Sequence, residues 1–255
     1  MASSDWSWSV LLSDYNNDGL KDVFITNGYR KYALDNDFQN KVYKTKIKYK
    51  GNIPNNIKQQ LYDEMPSESL SNLMYKNEGS LNFKEVGSNW GLDELTFSNG
   101  AAQGDFDNDG DLDLIINNID QEAILYKNKT VENNLGNFLK VTAQGNTSES
   151  FAKITISHDN KTQYEEIKRV RGYMSSQANT AHFGVGSSTL IDTVKIQWPS
   201  GKVSYKYNVK ANSSIIFKEQ DATLNEHSSL IASNSYFKSE TPKAYSINFT
   251  HQETL

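Results

Sequence analysis

Five aspartates occupy every second position of the stretch GDFDNDGDLDLIINN, which begins at Gly104: Asp105, Asp107, Asp109, Asp111 and Asp113. Two carboxylates about 4 Å apart repel by roughly 4 kcal/mol at an effective dielectric of about 20. Crowding five of them into one loop is unfavourable unless a cation sits among them. Calcium suits such a loop, because it takes roughly six to eight hard oxygen ligands from carboxylate, amide and backbone groups. Gly110, sixth in the loop, permits the tight bend, since glycine reaches positive φ at little cost.

An earlier stretch, SDYNNDGLKDVFITNG, repeats the pattern with Asp14, Asn16, Asp18 and Asp22. Both loops read D-x-[DN]-x-D-G-x-x-D. Both run into an apolar segment, Val23 to Thr26 or Leu114 to Ile116, and then reach Asn27 or Asn117-Asn118. Side chains at loop positions 1, 3, 5 and 9 and the backbone carbonyl at position 7 form the expected ligand set. That set is Asp14, Asn16, Asp18, Leu20 and Asp22 in the first loop, and Asp105, Asp107, Asp109, Asp111 and Asp113 in the second. An EF-hand would close with a Glu at position 12. Here that position is Ile25 or Ile116, so Asp22 and Asp113 are the expected closing ligands. A solvated Asp/Asn-rich turn without metal is the plain alternative. Two copies in equivalent places, each followed by a strand, favour the metal. Acid–base catalysis needs carboxyls held in different environments, whereas these alternate along one loop, so no catalytic residue is assigned.

The elements that must position these loops repeat as well. Each unit ends alike, in LMYKN (Leu73 to Asn77) and ILYKN (Ile124 to Asn128). Gly19 and Tyr75 are 56 residues apart and Gly110 and Tyr126 only 16, so the first unit carries an insertion of 40 residues. Within it Ile57, Leu61 and Met65 recur at helical spacing behind Pro54. Phe38 and Val42 predict a further helical segment with Asp35 as its cap. Farther on, Val194, Ile196 and Trp198 alternate, Pro199-Ser200-Gly201 turns, and Val203, Tyr205 and Tyr207 alternate back, which predicts a hairpin.

Composition narrows the function class. The chain of 255 residues has a net charge of −5, no cysteine, 14 Tyr, 11 Phe and 4 Trp. It can build substantial cores, forms no disulfide or thiolate metal site, and argues against a nucleic-acid partner, which calls for a basic face. No apolar run approaches the roughly 18–20 residues of a membrane span. The four histidines, His158, His182, His227 and His251, stand apart from one another and from carboxylates at metal-ligand spacing. His182, in AHFGVG, is expected to play a structural hydrogen-bonding role. Two basic stretches, KVYKTKIKYK (Lys41 to Lys50) and KRVRGY (Lys168 to Tyr173), read as solvated faces before they read as binding sites.

The loop pattern resembles the FG-GAP/VCBS repeat of integrin-type β-propellers, whose calcium loops share this form, over about residues 1–130. Asn82 to Asn118 is similar to that repeat throughout. A second resemblance, to the ASPIC/UnbV domain, rests on Gly172-Tyr173-Met174-Ser175-Ser176-Gln177, His182-Phe183-Gly184-Val185-Gly186 and Trp198-Pro199-Ser200-Gly201. The run Gly145 to Ser150, GNTSES, departs from the Asn-Arg/Gly-Ala run common in that family. Together these imply an all-β chain: partial propeller blades with calcium loops and a small helical insertion, then a small β-sandwich-like domain. The expected boundaries are residues 1–132 for the repeats, with the insertion at about 29–69, residues 133–222 for ASPIC/UnbV, and residues 223–255 for a linker and the start of a further repeat block. The chain reads as a fragment of a longer bacterial protein, secreted or on the outer cell surface. The implied function is non-catalytic recognition or adhesion toward a cell-surface glycan or protein, with calcium (Ca2+) stabilising the blades. The alternative is part of an exported polysaccharide-processing enzyme or its substrate-binding accessory. An enzyme would show a cleft with two carboxylates outside the calcium loops, for which Glu85, Asp93, Glu165 and Glu166 are candidates.

Overall fold

The computed structural model describes residues 4, 6–32, 35–145, 151–222 and 224–225. The GNTSES run beyond Gly145, His227, His251 and nearly all of the expected linker and further repeat lie outside them. Among the described residues the chain is mostly β-sheet, with no closed barrel. No described helix is long and apolar enough to cross a membrane.

The first sheet is an antiparallel meander. Strands β1 (Ser7–Ser13) and β2 (Asp22–Asn27) form a hairpin around the first aspartate loop. Helices α1 (Asn36–Lys48) and α2 (Asn55–Asp63) follow. The Asp35 side chain accepts from the Phe38 N–H at 2.7 Å, as a helix cap should, and Pro54 precedes α2. The helical spacing seen in the insertion is thereby realised, and KVYKTKIKYK is mostly helix, with Tyr43 and Ile47 exposed. The chain returns through β3 (Leu70–Ser71), β4 (Leu73–Asn77) and β5 (Phe83–Glu85), and the sheet order is β1-β2-β4-β5.

A short strand β6 (Leu95–Thr96) pairs with β3. The second sheet is β7 (Ser98–Gly104), β8 (Asp113–Asn118) and β9 (Ile124–Tyr126). Its pairing copies the first. Ser13↔Asp22 and Ser7↔Asn27 become Gly104↔Asp113 and Ser98↔Asn118, with a register irregularity at the same place in each hairpin. Val23↔Tyr75 becomes Leu114↔Tyr126.

The two sheets share one core, into which Leu11, Phe24 and Met74 point from the first sheet and Ala101, Leu114 and Ile116 from the second. Side chains alternate along a strand, so Phe24 corresponds to Ile115 and not to Leu114 or Ile116. The two repeats therefore turn opposite faces to the core they share. Val10 and Leu12 stay exposed on one outer side, and Ile115 and Leu125 on the other. A buried polar ladder links the sheets: the Asn27 N–H donates to Asn72 Oδ1, Asn72 Nδ2 to Ser98 Oγ, and Ser98 Oγ to Asn118 Oδ1.

The described residues from Asn137 onward form a second unit with its own core. Strands β10 (Asn137–Gln144), β11 (Lys153–His158), β12 (Lys161–Glu166), β13 (Thr180–Gly186), β14 (Leu190–Gln197), β15 (Lys202–Lys210), β16 (Ser213–Lys218) and β17 (Leu224–Asn225) make two sheets, β13-β10-β16 and β12-β11-β14-β15-β17. Both sheets contribute to one cluster, including Leu139, Val141, Phe183, Ile154, Ile196 and Trp198. The expected hairpin is β14–β15, with Gln197 opposite Val203 and Gly201 at φ 83° in the turn.

Candidate metal centre

Each aspartate loop is the connection of a β-hairpin, so the strand pairs β1–β2 and β7–β8 set its shape. Asn17 and Asn108 at position 4 and Gly19 and Gly110 at position 6 all take positive φ. This turns successive side chains inward on a common curve. At position 9, Asp22 and Asp113 are wholly buried at the strand starts. Each receives two backbone donors, one from the loop and one from the Asn that ends the repeated Tyr-Lys-Asn. Asp22 accepts from Tyr15 and Asn77 at 3.1 and 2.9 Å, and Asp113 from Phe106 and Asn128 at 2.8 Å each. These two carboxylates tie the loop to the sheet before any metal is considered. The two lone pairs of each oxygen leave capacity to ligate as well.

The loops differ in the remaining carboxylates. In the first, Asp14 Oδ1 and Oδ2 accept from the Asp18 and Gly19 N–H groups at 3.1 and 2.7 Å. Asp18 Oδ1 accepts from the Leu20 N–H and its Oδ2 from Asn16 Nδ2, both near hydrogen-bond length at 2.9 and 2.8 Å. Leu20 itself turns its side chain to solvent. Burial pushes the Asp14 carboxyl up to about 7 and Asp22 up to about 6, with neighbouring aspartate charges adding to the rise.

In the second loop, oxygens from Asp105, Asp107 and Asp109 lie within 4.8 Å of one another, and so do oxygens from Asp109, Asp111 and Glu132. Three buried oxygens here have no hydrogen-bond partner: Asp105 Oδ1, Asp109 Oδ2 and Asp111 Oδ1. Unpaired buried acceptors of this kind carry a desolvation cost on the order of 1–3 kcal/mol each, more when charged. Burial raises the Asp109 carboxyl and takes Asp111 up to about 7, while the Lys127 ammonium holds Asp107 below the usual carboxylate range. The donor set is all oxygen and includes buried atoms without a hydrogen-bond partner, so the residues present fit a hard divalent cation.

Several residues at this site carry no signal in the loop pattern. Lys127 Nζ sits 2.6 Å from Asp107 Oδ2 and 2.9 Å from Glu132 Oε1, and Lys140 Nζ sits 2.6 Å from Asp105 Oδ2. Lys127 belongs to the repeated Tyr-Lys-Asn, whose first copy brings Lys76 to 3.6 Å from Asp18. The repeat could have predicted that pair. Lys140 and Glu132 come from elsewhere in the chain and could not have been found this way.

The second unit closes over both loops. His182 Nε2 meets Asn17 Oδ1 at 2.7 Å, and the Gly186 N–H donates to the Asn17 carbonyl at 2.8 Å. A Cβ on Gly184 would lie 2.0 Å from Asp14 Oδ2, and one on Gly110 would lie 1.9 Å from the Phe138 ring. Burial lowers the His182 imidazole to about 4, so the ring is neutral at ordinary pH. His182 thus has the structural role expected of it. The Gly172–Gln177 segment docks on the first sheet, with the Tyr173 N–H donating to Ser9 Oγ at 2.8 Å.

Between the loops and the second unit lies a cleft of about 460 Å³ that includes Asp105, Lys140, Glu165, Glu166 and Arg171. Glu165 is shared between Lys21 and Arg171, and Lys168 pairs with Glu166, so the second basic stretch faces its own counter-ions. Glu85 turns back to accept the Gly87 N–H, and Asp93 is exposed. No curated protein matches the chain. Residues 142–224, which carry the His182–Gly186 and Trp198–Gly201 motifs and nearly all of the second unit, match the family model described as ASPIC and UnbV, so this unit is similar to that family.

Proposed function

We propose that the chain is a calcium-stapled, non-catalytic recognition module. The observation that carries the proposal is the second loop, where oxygens of Asp105, Asp107 and Asp109 lie within 4.8 Å of one another and two buried oxygens, Asp105 Oδ1 and Asp109 Oδ2, have no hydrogen-bond partner. Calcium supplies the missing positive charge and ties the loop to its strands, a folding role. The two sheets act as propeller blades of the FG-GAP/VCBS kind. Their copied register, and the way each turns an opposite face to the shared core, support that reading, because blades stack head to tail in this way.

Recognition falls to an aromatic surface at the edge of the first sheet. Trp6 stacks on Tyr29 at 4.7 Å, and Trp8 meets Tyr173 at the same separation. Trp6, Tyr29 and Tyr173 are all exposed, an arrangement suited to a glycan ring or an apolar protein face on a secreted or cell-surface protein. The enzyme alternative finds less support, since the cleft carboxylate Glu165 is held as a counter-ion by two cations. Calcium titration by calorimetry tests the proposal, with an Asp107→Ala, Asp109→Ala double variant beside the parent. Binding in the parent that falls in the variant is the expected result. A parent that releases or absorbs no heat with calcium, and gains no thermal stability from it, overturns the reading.

A further inference from the structure

The second loop gathers more ligands than one ion needs. Position 7 contributes to a loop-bound ion through its backbone carbonyl, so the Asp111 carboxyl is surplus to that ion. Yet this side chain is fully buried, with Oδ2 accepting the Val131 N–H at 2.9 Å and Oδ1 unpartnered. The Val131 contact brings the next residue, Glu132, into the cluster with Asp109 and Asp111. A cation already lies at the edge of this cluster: the Lys127 ammonium is 2.9 Å from Glu132, 2.6 Å from Asp107 and 3.6 Å from Asp109. Lys127 is half-exposed, so its chain can swing out to water.

Charge points the same way. Six carboxylates, those of the five loop aspartates and Glu132, face two ammonium groups, Lys127 and Lys140. With all six ionised, as a bound metal would hold them, four negative charges remain, and one divalent ion removes only half of them. The geometry points to a second divalent-cation site in this loop, formed by Asp109, Asp111 and Glu132, sharing Asp109 with the first and flanked by the Lys127 ammonium, which swings aside as the metal arrives. This site rests on the calcium reading above and extends it to a ligand outside the loop. The first loop lacks the site. Counted from the shared Tyr-Lys-Asn, its position for Glu132 is Leu81, which is almost wholly exposed, and its position for Asp111 is Leu20.

Equilibrium dialysis of the full chain against radioactive calcium counts the ions directly. Glu132→Gln should bind one equivalent fewer than the parent. Glu132 is exposed enough that the variant should fold, which circular dichroism checks. Lys127→Met should keep the parent's number and bind the last equivalent on the order of tenfold more tightly, the scale of one close charge in a partly solvated site. Unchanged stoichiometry and affinity in Glu132→Gln overturn the second site while leaving the calcium reading intact. A parent that binds no calcium overturns both.

Discussion

In the first loop Asp14 gives both oxygens to backbone N–H groups, whereas the equivalent Asp105 gives one oxygen to Lys140 and leaves the other without a donor. The backbones agree in turn geometry, strand register and the buried position-9 aspartate. The difference lies in the side chains at positions 3 and 7, Asn16 against Asp107 and Leu20 against Asp111, and in what the rest of the chain brings near. Asn16 carries its own donor and uses it on Asp18, so the first loop satisfies its carboxylate oxygens largely with its own N–H groups. Asp107 cannot donate, and the second loop recruits Lys127, Lys140 and Glu132. A repeated pattern can thus hold a self-satisfied turn in one copy and a cation-demanding one in the other.

Removing calcium should break that comparison most strongly. In excess EGTA the melting temperature of the parent should fall by the equivalent of about 4 kcal/mol for a site held at about a thousand times its Kd. Asp109→Ala should lose most of this response, and Asp18→Ala should keep most of it. A thermal melt that treats the two variants alike would remove the distinction between the loops.

Next in size come the glycines that let the second unit close over the loops. Gly184→Ala forces a methyl group onto Asp14, and Gly110→Ala forces one onto Phe138 from a backbone at φ 108°. Each should cost on the order of 1–3 kcal/mol in urea unfolding, the range for overpacking. Gly110→Ala should also weaken calcium binding at the second loop, whereas Gly184→Ala should leave that loop's calcium response intact and disturb only the first loop, through Asp14.

The metal-free protein should become less stable as pH rises from about 4 to about 7. Asp14 and Asp111 at about 7 and Asp22 at about 6 all lie above the 3.8 of a free aspartate. His182, lowered to about 4, opposes them with one proton, but the three raised carboxyls outweigh it, so the folded form holds more protons than the unfolded form across that window and stability falls with pH. Saturating calcium should reverse the trend, because the metal binds the ionised form. Denaturant melts at several pH values, with and without calcium, read the sign. The smallest effect should be Asn16→Asp. It should tighten calcium binding at the first loop and lower calcium-free stability by about 1 kcal/mol, the worth of the hydrogen bond lost to Asp18. A calcium-free melt unchanged by this substitution would show that Asn16 is not what balances the first loop.

Much of the architecture is legible in the residues. The 40-residue insertion, the helix behind Pro54, the Asp35 cap and the β14–β15 hairpin follow from local periodicity and turn chemistry, which act over a few residues. The ligand loops are legible for the same reason, since alternation along a single bend brings their side chains together.

The sequence by itself determined the strands, the helices and two loops of matching backbone. Only the tertiary structure decided that a second unit packs against both loops, that His182 grips Asn17, that Lys140 pairs with one oxygen of Asp105, and that Glu132 joins Asp109 and Asp111. The physical reason is one of range. A turn is set by φ and ψ of adjacent residues, but the state of a carboxylate depends on desolvation and on charges within a few ångströms, whatever their distance along the chain. Whether an aspartate loop is a quiet turn or a cation site is therefore set by neighbours that meet it only when the chain has folded.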